Sequence, residues 1–299
     1  MPRRTAKADQ PPSRRLLRRC GLALFSRLGL RLVCLAGLVL LCACASGRQQ
    51  AAQLAEAGGF RPLRFETPAF VLQGWLKTGP GAGTVLYAYI EGDGRAWVRP
   101  DRPSSDPTPT DPVGLRLALA DPAQGPVLYL ARPCQYTEGA DRRGCSVEDW
   151  TDARFSGRAV EALSAALDQA KARVRAQAVA LHGYSGGGGM AALLAARRND
   201  VVFLGTVAGN LDHRIWTRHH GVSPLSGSLN PVDTATATRG IPQLHVTGDK
   251  DNIVIRSVLD SWSQHVPGAA MERVGIPGAT HEGPWDGVWP GLLRRYRRF

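Results

Sequence analysis

The stretch Val179-Ala-Leu-His-Gly-Tyr-Ser-Gly-Gly-Gly-Gly-Met-Ala-Ala-Leu-Leu-Ala-Ala-Arg197 decides the fold. It reads as a short apolar strand, a glycine-crowded turn and an Ala/Leu helix. At the turn, Gly183-Tyr184-Ser185-Gly186-Gly187 fits G-x-S-x-G, in which a serine sits on a sharp strand-to-helix bend. Glycine flanks the serine because a β-carbon there would meet neighbouring backbone, and because positive φ is cheap only for glycine. The following helix would aim its N-terminal amides at the serine, where negative charge develops in acyl transfer. Ser185 is the candidate nucleophile, and the Gly186 N–H a candidate oxyanion donor.

A serine hydroxyl is a poor nucleophile without a base in hydrogen-bond reach and a carboxylate to orient that base. Two later segments read as strands, Pro242–Thr247 and Met271–Ile276, and each runs into polar residues. Gly248-Asp249-Lys250-Asp251 follows the first and Gly278-Ala279-Thr280-His281-Glu282 the second. Asp251, Asp249 and, after an earlier strand, Asp212 are the acids in contention. Among seven histidines only His281 follows the last strand. His182 falls inside the serine's own strand, where packing would bury it. His213, His219 and His220 belong to an insertion, where they are expected to face substrate.

Outward from this centre, Thr84–Glu91, Pro126–Ala131 and Val201–Ala208 read as further strands. Val113–Leu119 and Phe155–Val174 read as helices, the latter capped by Ser156. An antiparallel hairpin is expected within Phe65–Lys77, a long loop over Arg99–Pro112, and a helical end within Trp285–Phe299. Asn210–Arg239 is a Trp/His/Ser/Pro-rich insertion of the kind that forms lids or binding loops. Trp216 and His219 are its candidate substrate contacts; the plainer alternative is that Trp216 packs the insertion onto the body. Strands alternating with helices predict an α/β fold, a mostly parallel sheet covered on both faces. Ligands of such sheets bind beyond the carboxyl ends of the strands. Glu91–Gly94, Ser185, Asp249–Asp251 and His281 all fall at such ends.

The order Ser, Asp, His, each after a strand, resembles the α/β-hydrolase fold over about residues 64–295. That resemblance implies Asp251 as the acid, from the pattern G-x-x-D-x-x-V over Gly248–Val254, and His281 as the base, from G-x-x-H over Gly278–His281. It further implies a second oxyanion amide from the loop after Thr84–Ile90, at Glu91 or Gly92. Two acids, Glu91 and Asp93, beside a hole for an anion are unfavourable unless they point away or are neutralised. Alternatively they read a cationic or hydroxyl group, which makes Asp93 a further candidate substrate contact. More narrowly, Tyr89-Ile-Glu-Gly-Asp-Gly94, Ala131-Arg-Pro-Cys-Gln-Tyr136, Gly183–Gly188, Thr206–Asp212 and Ser228-Leu-Asn-Pro231 resemble a group of bacterial exported α/β-hydrolase-like lipoproteins. The expectation is a serine hydrolase acting on a small-molecule or lipid-like ester, thioester or amide, without metal or organic cofactor. An acyltransferase or a catalytically silent binding lipoprotein are the alternatives.

Charge and cysteines bear on compartment. Nine of the 37 basic side chains and one of the 25 acidic ones lie in residues 1–44, so the rest carries a net charge of +4 rather than +12. That body has no basic stripe for a phosphate backbone, which argues against nucleic-acid binding. The Arg-rich start and the apolar run Leu32–Ala43 read as an export signal. Twelve helical residues rise about 18 Å, too little for a hydrocarbon core of about 30 Å. Leu41-Cys42-Ala43-Cys44 resembles a bacterial lipobox, implying lipid on Cys44 and anchorage in the cell envelope. A plain signal peptide is the alternative. The expected division is signal 1–43, tether 44–62 and hydrolase domain 63–299. In an oxidising space Cys134 and Cys145 would pair; free thiols or a metal clip lack supporting ligands.

Overall fold

The computed structural model describes residues 47–79 and 84–298. The expected signal over 1–43 and the candidate lipidation site Cys44 lie outside the described residues. Eight strands form the main sheet: β1 (Arg61–Glu66), β2 (Val71–Lys77), β3 (Val85–Ile90), β6 (Val127–Leu130), β7 (Ala178–Tyr184), β8 (Val201–Val207), β9 (Gln243–Gly248) and β10 (Met271–Ile276). Their order across the sheet is β1-β2-β6-β3-β7-β8-β9-β10. From β6 to β10 every neighbouring pair is parallel, while β1 and β2 form an antiparallel hairpin that begins at Arg61, four residues before the expected Phe65, and β2 also runs antiparallel to β6.

Alternation along β7 shows how the sheet buries both faces. Val179 and Leu181 point into one core, and Ala180 and Tyr184 into the other. On the first face lie α3 (Gly157–Val174), α4 (Gly186–Ala195) and α6 (Arg256–His265), the last burying Val258, Leu259 and Trp262. The other face is covered by α1 (Gly47–Ala57), α2 (Val113–Leu119) and α7 (Trp285–Tyr296), with Trp285, Trp289 and Leu293 buried. Helix α3 starts where its cap dictates: the Ser156 side chain accepts from the Ala159 N–H.

Three segments differ from the sequence reading. The tether expected over 44–62 is not free chain where it is described. Residues 47–57 are helical, Ala51 and Ala55 are buried, and Arg48 pairs with Asp106 at 2.8 Å and Glu138 at 2.7 Å. Alanine and glutamine suit a linker by polarity, but they are also good helix formers, and alanines four apart make a face small enough to dock closely. Within the loop expected over Arg99–Pro112, Arg102–Pro103 (β5) pairs with Trp97–Arg99 (β4) as a short hairpin. Helix α6 had no counterpart among the expected elements. The insertion over 210–239 is built from α5 (His213–His220) and a 3₁₀ segment, Pro231–Thr238, whose Val232 and Ala235 are buried. Cys134 and Cys145 are joined by a disulfide with Cα atoms 5.8 Å apart.

Candidate active site

The bend after β7 is as tight as its glycines suggest. Ser185 holds φ 52° and ψ −122°, a left-handed value that L residues rarely adopt. A β-carbon on Gly183 would lie 2.1 Å from the Gly187 carbonyl oxygen, and one on Gly187 would lie 2.2 Å from that of Ile90. Neighbouring backbone fixes the bend: the Ser185 N–H donates to the Val207 carbonyl, and the Ser185 carbonyl accepts from the Gly188 and Asn210 N–H groups, all at 2.9 Å.

Three side chains from three strand ends meet here. Ser185 Oγ lies 3.0 Å from His281 Nε2, and His281 Nδ1 lies 2.9 Å from Asp251 Oδ2. Asp251 is locked in place, its Oδ1 accepting from the Ile253 N–H (2.9 Å) and the Val254 N–H (2.8 Å). With Nδ1–H donated to Asp251, Nε2 is left to accept from the serine hydroxyl, the tautomer a general base requires. The His281 carbonyl is held by the Tyr184 hydroxyl (3.1 Å) and the Trp285 indole N–H (2.7 Å). The base is thus positioned from both its ring and its backbone.

The rival residues have structural employment. Asp249 accepts from the Gly278 N–H at 2.6 Å in a turn. Asp212 caps α5 through the Arg214 N–H and accepts from Asn230 and Ser261. His182 is buried as expected, stacked on Tyr89 at 4.4 Å, and burial pushes its pKa down to about 3.

The oxyanion loop corrects the sequence reading. The Gly186 N–H heads α4, where it was expected. Neither of the other two candidate amides is free. The Glu91 N–H donates to the Leu130 carbonyl (3.1 Å), extending the sheet by one residue, and the Gly92 N–H donates to the Glu91 carboxylate (2.8 Å). Glu91 folds back into a cage, accepting also from the Gly114 N–H (3.1 Å) at the start of α2 and the Tyr129 hydroxyl (2.8 Å). Burial raises the Glu91 pKa, and these donors work against that rise. The next amide along, that of Asp93, has no hydrogen-bond partner among the described residues.

Asp93 is neutralised rather than turned away. Its Oδ1 accepts from Arg132 Nη1 (3.1 Å) and its Oδ2 from Arg154 Nη1 (2.7 Å). The two arginine side chains are 5% and 7% exposed. Burial opposes ionisation of Asp93, but the two guanidiniums outweigh it and hold the pKa below the ordinary aspartate value. The cluster presses on the bend, for a β-carbon on Gly186 would lie 2.0 Å from Asp93 Oδ1. Gln135 completes it, donating through Nε2 to the Gly92 carbonyl (2.9 Å) and accepting from the Arg132 N–H (3.0 Å).

A cleft of about 500 Å³ opens over Ser185 and His281, with Trp97, Arg154, Trp216 and Ile253 among its lining. Trp216 lines the cleft and also packs against the core, so both readings of it keep a basis, whereas His219 is exposed and outside the lining. Among the described residues no group of three or more His, Cys, Asp or Glu side chains is placed to hold a metal ion. Arg132, Arg154 and Gln135 were not singled out from the sequence. The available signal was an arginine directly after the apolar Val127–Ala131 run, where only a buried partner could keep it.

No family model and no curated protein sequence matches the chain. Solved structures do. An α/β serine hydrolase homologue from Coxiella burnetii aligns over 79% of this chain and 95% of its own, at 17% identity and TM-score 0.52. Est1E from Butyrivibrio proteoclasticus aligns over 79% and 98%, at 15% identity and TM-score 0.56. An α/β serine hydrolase without lid from Xanthomonas campestris aligns over 79% and 94%, at 16% identity and TM-score 0.52. With the strand order above, these likenesses show that the chain has the α/β-hydrolase fold.

Proposed function

We propose that this chain is a serine hydrolase that cleaves a carboxylic ester, thioester or amide through an acyl-enzyme. Ser185 Oγ attacks the acyl carbon while His281 Nε2 takes its proton; Asp251 stabilises the imidazolium. His281 then gives that proton to the leaving group, and water, deprotonated by the same imidazole, releases the acid. The Gly186 and Asp93 N–H groups receive the oxyanion, each such donor being worth about 2.7–4 kcal/mol in comparable sites. The observation that carries this reading is the unbroken line from Ser185 through His281 to Asp251, with contacts of 3.0 and 2.9 Å.

A fluorophosphonate probe tests it. The folded chain should take one adduct on Ser185, and Ser185→Ala should take none. A folded chain that stays unlabelled would favour a binding protein that keeps only the fold. We further propose that residues 1–43 are an export signal and that Cys44 carries lipid in the cell envelope. Cys44→Ala should then move the protein from membrane to soluble fractions; unchanged membrane association would refute the anchor.

A further inference from the structure

We propose that Arg154 binds a carboxylate carried by the acyl part of the substrate, so that short half-esters of dicarboxylic acids are preferred over neutral esters. The inference rests on the hydrolase reading and adds to it a substrate class.

The sequence places acids at the oxyanion loop, which favours a cationic or hydroxyl-bearing ligand; the structure reverses the sign. One carboxylate, Asp93, lies between two guanidiniums, which leaves a single positive charge in excess beside the reacting serine. The two arginines are not equivalent. Arg132 faces inward: its Nη2 donates to the Arg154 carbonyl, its Nε is buried without a partner among the described residues, and it does not line the cleft. Arg154 lines the cleft with Ser185. Its Nε donates to the Thr151 carbonyl and its Nη1 to Asp93, so its Nη2 has no partner among the described residues. The Trp216 ring lies 5.7 Å from its guanidinium carbon and braces the plane from the side of the insertion.

A guanidinium held by two fixed acceptors, with an unpaired edge in a cleft, suits a carboxylate. Arg132 can balance the charge of Asp93 while Arg154 engages the ligand. The other acids lining the cleft do not cancel this charge. Glu91 is caged by Gly92, Gly114 and Tyr129, Asp111 is paired with Arg116, and Glu282 is exposed and accepts from the Thr280 hydroxyl. Because Asp93 packs against Gly186, an anion on Arg154 lies close to an acyl group on Ser185, which favours short chains.

The test compares the 4-nitrophenyl esters of butyrate, hemisuccinate and hemiglutarate with the full chain. The expected result is a kcat/KM at least 10-fold higher for one of the half-esters than for butyrate. Arg154→Gln should reduce that preference 10- to 100-fold, chiefly through KM, and Arg154→Lys should restore part of it. No preference in the parent, or a preference that survives Arg154→Gln, overturns the proposal. If Ser185 takes no fluorophosphonate adduct and no ester is cleaved, the hydrolase reading has failed, and calorimetry with glutarate decides the subsite by itself. Glutarate binding lost in Arg154→Gln supports it; absence of binding by the parent rejects it. If Arg154→Gln does not fold, protection of Ser185 from the probe by glutarate but not by glutaramide serves in its place, and equal protection by both overturns the proposal.

Discussion

The two sides of the cleft are built on different principles. On the side of β7 to β10, Ser185, His281 and Asp251 each sit in a short local pattern at a strand end and contact one another in line. Asp251 is held by amides within three residues, Ser185 by the backbone of the neighbouring strand end, and His281 through its carbonyl by Tyr184 and Trp285. On the side of β3, the loop Glu91–Asp93 is held by residues from elsewhere: Tyr129, Arg132 and Gln135 from β6 and its loop, Gly114 from α2, and Arg154 from before α3. On the proposed hydrolase reading, the first side would set the reactivity and the second the electrostatic environment in which an anion forms. Gly187 joins them, its backbone seated on the Ile90 and Glu91 carbonyls. Substitutions on the first side should therefore strike rate, and those on the second should strike stability and selectivity.

The sharpest test of that division is Asp251→Asn. The amide oxygen can still accept from Ile253 and Val254, so the melting temperature should shift by only a few degrees. The imidazole tautomer is lost, and kcat should fall about 10⁴-fold. Next in size is Asp93→Asn, which leaves two buried guanidiniums facing a neutral amide. Breaking a buried ionic cluster in this way costs about 3 kcal/mol, lowering the melting temperature by about 6–12 °C in a domain of this size. An Asp93→Asn protein that melts normally but turns over slowly would break the comparison.

Acid should separate the two sides as well. Burial pushes His182 in β7 and His245 in β9 down to a pKa of about 3, so both stay neutral in the folded chain. In the unfolded chain they take protons below about pH 6.5. Stability is therefore complete above that pH and is lost as pH falls toward 3, by up to about 1.4 kcal/mol per pH unit for each imidazole. The Asp93 pKa is lowered, so its share is lost only below the ordinary aspartate range of about 3.9. Urea midpoints should fall between pH 6.5 and 4 with this imidazole slope, to which the lowered His213 pKa adds and which the raised Glu91 pKa partly opposes, and His245→Gln should reduce it. The smallest effect expected is from Glu91→Gln. One amide oxygen can still serve Gly92 and Gly114, so stability should change by about 1 kcal/mol or less. Glu91→Ala, which frees both amides, should cost more by thermal melting.

Legibility followed the same division. Val113–Leu119 and Met271–Ile276 were read to the residue because apolar patterning and flanking breakers coincide there. That Ser185, Asp251 and His281 come into contact is readable because a strained bend and its partners demand particular residues at fixed offsets. The sign of charge at the oxyanion loop was not readable. Asp93, Arg132 and Arg154 come from three separate loops, and no spacing along the chain brings them together. That the Gly92 amide is engaged is unreadable for a related reason: only the folded chain shows the Glu91 side chain turning back onto the Gly92 N–H. Composition alone points to a tether where α1 forms, because it reports solubility and helix propensity at once and only docking chooses between them.

The disulfide stands at the corner where the two principles meet. Cys134 lies between Arg132, which neutralises Asp93, and Gln135, which holds the Gly92 carbonyl. Closing a loop of this length restrains the chain by about 3 kcal/mol. Protein prepared among reducing thiols would keep that corner by packing alone, and an assay run with dithiothreitol would sample a slacker cleft than one run without it.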